Sequence, residues 1–184
     1  MRRCYKMELL KMTLLGKEQI GPELETASKF FMKEFTYKFN EGPLSSIEEL
    51  LSDWSFGNCR RVVQYYTFLK KKIFLKPEEV LCPEAYYRTG IFVIKEGQEF
   101  STSKLLDGDI IYAEKIRDKE EKVIDKSLLT FPAKDDYIVS LHTAIFTREK
   151  NKEIWHATAI EGSSCFWPLE KFINYYRPIV VKRI

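Results

Sequence analysis

The stretch Phe56-Gly57-Asn58-Cys59-Arg60-Arg61-Val62-Val63-Gln64-Tyr65-Tyr66 decides how the chain is read. Val62, Val63, Tyr66, Leu69 and Ile73 recur at helical spacing, which predicts a helix from Cys59 to about Phe74 with one face on a core. Cys59 lies three and four residues before Val62 and Val63, so it shares that face at its N-terminal edge. Gly57 permits a tight approach, and Asn58 is a good cap. Free N–H groups and the positive end of the helix dipole then lie beside the sulfur, where they favour thiolate, and Arg60 and Arg61 add positive charge. A lone cysteine on a buried helix face is most often an inert core residue, and taken alone the segment leaves that reading ahead.

The 184 residues fit one domain, 1–184, with a core that needs neither disulfide nor metal. An apolar content of 45% supports this, and 14% aromatic residues argue against disorder. With 30 basic against 27 acidic side chains, the net charge of +3 gives no push towards nucleic acid or a membrane surface. Lys70-Lys71-Lys72 reads as a solvated helix face. Cys4, Cys59, Cys82 and Cys165 show no spacing of a zinc knuckle or redox dithiol, which fits a reduced compartment. Lys6, Glu8 and Lys11 interrupt the N-terminal apolar run, and no small-residue cleavage site follows. A cytoplasmic protein is expected, with no membrane span, no nucleic-acid partner, no metal and no cofactor.

Residues 1 to 22 are ambiguous up to Gly21-Pro22. Leu24, Ala27, Phe31 and Phe35 mark a helical stripe over Glu23 to about Phe39, ended by Asn40-Glu41-Gly42-Pro43. Ser45 and Ser46 with Glu48 and Glu49 form a capping-box signature for a short helix through Leu51. These elements are read as a helical N-terminal extension, residues 1–52, leading into a core of residues 53–184. Beyond Pro77, a loop or short helical turn precedes the strand Ile91–Ile94, and Asp107-Gly108-Asp109 is a turn launching Ile110 to Ile116. Arg117 to Lys126 reads as an exposed excursion. Strands over Tyr137–Thr147 and Glu153–Ile160 are joined by a polar hairpin turn. A short helix from Pro168 to Tyr176 and a closing strand at Ile179-Val180-Val181 follow. Helices first and antiparallel strands afterwards give an α+β order.

Both histidines of the chain fall on that hairpin, His142 in Leu141-His142-Thr143-Ala144-Ile145-Phe146 and His156 in Ile154-Trp155-His156-Ala157-Thr158. With the turn centred near Lys150, Phe146 faces Ile154 and Ala144 faces His156. The two imidazoles are then diagonal neighbours on one face, within side-chain reach of each other. A nucleophile needs a base at hydrogen-bond distance and a third group that fixes the base's tautomer, and Cys59, His142 and His156 supply these types. Either histidine singly reads as a satisfied polar residue at the sheet edge. A metal site of His142, His156 and a cysteine or Glu161 ranks low, because no ligand-spaced pair accompanies them.

These pieces in order resemble the NlpC/P60 branch of the papain-like cysteine peptidases. They are Asn58-Cys59-Arg60, Leu106-Asp107-Gly108-Asp109-Ile110-Ile111-Tyr112, His142-Thr143-Ala144-Ile145-Phe146 and Ile154-Trp155-His156-Ala157. The tail from Trp167-Pro168-Leu169-Glu170-Lys171-Phe172 to Val181-Lys182-Arg183 is similar to that family's closing helix and strand, so the resemblance spans about Trp54 to Ile184. It implies a papain-like α+β fold with N-terminal helices packed on an antiparallel β-sheet. It also implies a cysteine-dependent amidase or peptidase with Cys59 as nucleophile, His142 as base and His156 as the orienting member. Asn58 and Trp54 would support the oxyanion and cleft, and a peptide or other amide or acyl compound would be the substrate. An acyltransferase or thioesterase on the same scaffold, and a non-catalytic binding module, stand as alternatives. The family usually has Asp before the cysteine and Ser-Gly after it, whereas Asn58 and Arg60-Arg61 stand here, which argues against a murein peptide. A circularly permuted arrangement would recruit Cys165, but Gly162-Ser163-Ser164-Cys165 reads as a loop rather than a helix start.

Overall fold

The computed structural model describes residues 35–52, 55–80, 90–117, 122, 141–148 and 153–184. Most of the helix expected over Glu23–Phe39, Trp54, Cys4, Cys82, most of the Arg117–Lys126 excursion and the centre of the hairpin turn lie outside the described residues. In chain order the elements are β1 (Thr36–Tyr37), α1 (Ile47–Ser52), β2 (Phe56–Gly57), α2 (Cys59–Lys71), α3 (Pro77–Val80) and β3 (Ile91–Ile94). They continue with β4 (Ile110–Lys115), β5 (Leu141–Phe146), β6 (Ile154–Thr158), β7 (Ser163–Trp167), α4 (Leu169–Tyr175) and β8 (Tyr176–Arg183).

The capping signature before α1 operates as its chemistry requires. Ser46 Oγ accepts from the N–H of Glu49 at 3.2 Å, and the Glu49 carboxylate accepts from the N–H of Ser45 at 2.9 Å. The cysteine helix α2 begins at Cys59 as the sequence predicts, with Asn58 in extended conformation accepting from the N–H of Arg60 at 3.0 Å. It ends earlier than expected. Lys72 adopts the left-handed conformation (φ 59°) and its N–H closes on Phe68 and Thr67, so Ile73 lies beyond the helix and is exposed.

All strands among the described residues join one sheet, in the order β2-β1-β7-β6-β5-β4-β8-β3. Neighbours are antiparallel except β1 and β2, and Phe146 pairs with Ile154 across β5 and β6 as the hairpin register predicts. Val62, Val63, Tyr66 and Leu69 of α2 bury one face with Ile110, Leu141, Ile145 and Trp155. On the other face Ile111, Ala144, Phe146 and Ile154 pack with Trp167, with Phe172 of α4 and with Tyr176. Alternation along each strand sends its apolar side chains to two separate cores.

This architecture corrects the expected fold class. Among the described residues the protein is mostly sheet, eight strands curled into a half-barrel with few helices, and not a set of N-terminal helices packed on an antiparallel sheet. Two segments account for much of the difference. Thr36-Tyr37, read within a helical stripe, forms β1, because Phe35-Thr36-Tyr37 alternates inward and outward and its aromatic and β-branched residues suit a pleat. Ser163–Trp167, read as a loop, forms β7, pairing with β6 from Thr158↔Ser163 to Ile154↔Trp167.

Candidate active site

The site is built around the first turn of α2. Helical geometry leaves the N–H of Cys59 without an intrahelical acceptor, while the next N–H, that of Arg60, is held by the Asn58 carboxamide. The same carboxamide donates through Nδ2 to the carbonyl of Phe39 at 3.0 Å, and the Asn58 N–H reaches Glu41 O at 2.9 Å. One and two turns on, Arg61 and Gln64 hold the same segment. Arg61 donates to Gly42 O (2.9 Å), Phe56 O (2.6 Å) and the Glu41 carboxylate (3.1 Å). The Gln64 amide exchanges two bonds with the backbone of Leu44 and donates to Leu75 O. Gly57 makes room for this, since a Cβ there would stand 2.8 Å from Arg61 Cδ. Asn58, Arg61 and Gln64, at a spacing of three, thus fix the chain from Phe39 to Leu44 against the helix that carries Cys59.

His142 and His156 meet as the hairpin predicts. His142 Nε2 and His156 Nδ1 are 2.8 Å apart, and the ring planes are nearly perpendicular at 89°. His142 stacks on Tyr176 with ring centroids 4.2 Å apart, while His156 lies edge-on to Trp167 and Phe172. Both histidines are buried, and burial is the main reason that their pKa values fall. That of His142 goes down to about 3, with the charges of Arg60 and Lys115 adding to the effect, and that of His156 is lowered further by His142. Both rings are neutral at pH 7, so one nitrogen of the pair donates and the other accepts.

By alternation the histidines belong to the Ala144–Phe146–Ile154 face, whereas the body of α2 covers the Leu141–Ile145 face. Cys59 and His142 nevertheless line one cavity of about 250 Å³, at the end of the sheet where β5 begins and β6 finishes. Its wall takes Leu141 and Ala157 from one face and His142, Thr158 and Tyr176 from the other, so the cavity wraps around the strand ends. The start of α2 therefore reaches His142 around these ends and not through the sheet. Among the described residues no hydrogen bond links Cys59 to His142. Asn58 lines the cavity as well, with both ends of its amide engaged. His156 stands behind His142 and away from the cavity wall.

Three cavity residues carry no signal in the sequence. Tyr37, from β1, has its phenol pKa pushed up to about 12 by burial and by the nearby Cys59 sulfur. Tyr176 is raised mainly by burial and bonds to Thr158 Oγ1 at 3.0 Å, so both phenols remain protonated. Lys115, the last residue of β4, brings a second cation beside Arg60. Each comes from a strand whose place at this end of the sheet depends on pairing partners far along the chain, so no local motif marks them.

The sequence alternatives place differently. Cys165 lies opposite His156 on β7 and heads no helix. Glu161 is turned to Trp167 Nε1 (2.9 Å) and Lys171 Nζ (2.7 Å), and the facing nitrogens of the histidines are bonded to one another. Among the described residues no group of three or more His, Cys, Asp or Glu is placed to hold a metal ion, and no helix is long and apolar enough to cross a membrane.

No family model matches the chain, and no curated protein does. Among solved structures, NlpC1 from Trichomonas vaginalis is similar, at 14% identity and a TM-score of 0.48, over 91% of this chain and 46% of that one. The chain thus spans about half the length of that protein, and the likeness is distant.

Proposed function

We propose that the protein is a cysteine-dependent hydrolase of amide bonds that works through an acyl-enzyme thioester, with Cys59 as nucleophile, His142 as base and then acid, and His156 as the positioning member. One observation carries the reading: Cys59 and His142 line the same cavity, and the Nε2 of His142 is bonded to His156. That bond leaves Nδ1 as the nitrogen of His142 able to act on the thiol. If His142 donates its Nε2–H to His156 Nδ1, then His142 Nδ1 holds a lone pair and His156 carries its own proton on Nε2. That Nε2 has no hydrogen-bond partner among the described residues and lies among the Trp167, Phe172 and Tyr176 rings, weak acceptors for an N–H.

The sulfur attacks the carbonyl carbon as its proton passes to His142 Nδ1. The oxyanion sits at the start of α2, where the unengaged N–H of Cys59 and the helix dipole stabilise it. Collapse breaks the C–N bond, and the leaving amine takes the proton from His142. Water then attacks the thioester with His142 again as base, which releases the acid and restores the thiol. Because neutral His142 resists protonation, proton transfer accompanies attack. Cys59 and Cys165 are free thiols, which suits a reduced, cytoplasmic setting.

The test is a panel of peptide amides and acyl thioesters with mass spectrometry of the intact chain. The expected result is an acyl adduct on the Cys59 peptide, absent in Cys59→Ala. Turnover should fall by about 10³-fold or more in Cys59→Ala and His142→Ala, and by less in His156→Ala, with folding retained. Full turnover in Cys59→Ala would sink the proposal. Acyl transfer to an added amine or thiol in preference to water would reassign the protein to the acyltransferases.

A further inference from the structure

Two contacts hold the His142 ring, and they restrain different motions. Its Nε2 meets His156 Nδ1 at 2.8 Å, and its face lies on Tyr176 with ring centroids 4.2 Å apart and planes 16° from parallel. The ring turns about its Cβ–Cγ bond, a torsion that is intrinsically broad. A bond at Nε2 points mostly along that axis and restrains the rotation little, whereas the Nδ1 lone pair points across it. The direction in which Nδ1 aims therefore depends on what covers the faces of the ring. Tyr176 supplies that cover from β8, although β4 lies between β8 and β5. Ala113 of β4 pairs with His142 on one side and with Pro178 on the other, and its small side chain leaves room for the Tyr176 ring to reach across. Tyr176 is itself fastened. Its N–H closes the end of α4 on Phe172 O, and its ring packs on that of Phe172 with centroids 5.0 Å apart. Its hydroxyl pairs with Thr158 Oγ1 at 3.0 Å, and that oxygen also accepts the N–H of Ile160 at 3.3 Å.

We infer that Tyr176 is a positioning residue of the proposed hydrolase, setting the rotation of the His142 ring so that Nδ1 faces the cavity that holds Cys59, with Thr158 as the anchor of its phenol. This inference rests on the roles proposed for Cys59 and His142. Cys59, His142, Thr158 and Tyr176 all line that cavity, so the restraint acts where the thiol and the base have to meet. A flat aromatic face opposes rotation of a second ring lying on it, because turning the imidazole would drive its edge into the phenol. An aliphatic side chain of similar bulk fills the space without presenting such a face. Burial keeps the phenol protonated, so Tyr176 orients the neutral base without setting a charge against it.

Tyr176→Leu removes the flat face, and Tyr176→Phe keeps the face but removes the anchor. In the full chain the expected loss of turnover is about 10²-fold for Tyr176→Leu and no more than about tenfold for Tyr176→Phe. Alkylation of Cys59 by iodoacetamide at neutral pH, read by peptide mass spectrometry, needs no substrate and should slow in Tyr176→Leu towards the rate in His142→Ala. On a His142→Ala background Tyr176→Leu should cost nothing further, because a residue that acts through the imidazole has no effect once the imidazole is gone. In proton NMR the Tyr176 ring current should move the His142 ring signals upfield in the parent chain and in Tyr176→Phe, but not in Tyr176→Leu. Additive losses overturn the inference, as does a Tyr176→Phe chain as slow as Tyr176→Leu, or a parent chain without the upfield shift. If Tyr176→Leu fails to fold, Tyr176→Met takes its place, since the flexible methionine chain fills irregular space. Full turnover in Cys59→Ala would remove the hydrolase reading, while non-additive alkylation rates would keep the restraint on His142. Turnover through Cys59 with additive losses would remove the restraint alone.

Discussion

His142 and His156 are held out of water as a neutral, mutually bonded pair, and that state has a cost at low pH. Unfolded, both would take up a proton near pH 6.5. Folded, His142 resists protonation to about pH 3, and His156 is shifted in the same direction. Over the interval between those limits the unfolded chain binds more protons than the folded one, so stability is fully present above about pH 6.5 and is lost as pH falls. Each histidine contributes a slope of up to about 1.4 kcal/mol per pH unit. Urea denaturation at about pH 7 and about pH 5 should show this loss, and His142→Asn should flatten it by removing one titrating ring. Equal stability of the parent chain at both pH values would mean that the pair is not buried in the neutral form. The pairing is legible in the sequence, because period-2 alternation and one hairpin register suffice to bring residues 142 and 156 together. What alternation could not supply was which ring stands at the cavity and which stands behind.

At the level of the element, α2 is positioned by polar bonds as much as by its apolar face. Gln64 is fully buried and bridges Leu44 on one side to Leu75 on the other. Gln64→Ala leaves several backbone groups without partners, each costing about 1–3 kcal/mol when shut away from water. A loss of about 3 kcal/mol is expected in urea titrations, together with weaker catalysis, since Phe39, at the start of the segment that Gln64 helps to anchor, lines the cavity. Unchanged stability would show that water replaces the lost bonds. The sequence marks the start of α2 correctly because capping is local chemistry. It runs the helix too far because Leu69 and Ile73 share a stripe, and nothing in that stripe records that Lys72 turns left-handed and exposes Ile73.

Across the whole molecule, the turn before β4 joins distant parts of the chain. Gly108, at φ +86°, lets that turn pass close to Tyr66, whose hydroxyl donates to Asp107 at 2.9 Å. Asp109 is fully buried and accepts two bonds from Arg183 at 2.8 Å each, plus the N–H of Leu106 at 2.8 Å. The end of β8 is thereby fastened to the start of β4. Asp109→Asn should lower stability by about 2–4 kcal/mol, read as a drop in thermal midpoint, with Cys59 alkylation at the far end of the sheet little changed. A coupled loss of Cys59 reactivity would mean that the two ends of the sheet are not independent.

By itself, the sequence determined the start of α2, the Asn58 cap beside Cys59, the β5–β6 hairpin and the meeting of its two histidines. All of these follow from helical or alternating spacing and from cap and turn chemistry within a few residues. Only the tertiary structure decided that the architecture is a curled eight-stranded sheet, that β1 and β7 are strands, and that Tyr37, Lys115 and Tyr176 close the cavity around Cys59 and His142. A two-residue strand such as β1 is too short to show a period, and it exists because Thr36 finds Phe56 on one side and Ser163 on the other. One of these partners lies 20 residues away and the other 127, and no local pattern encodes such pairing.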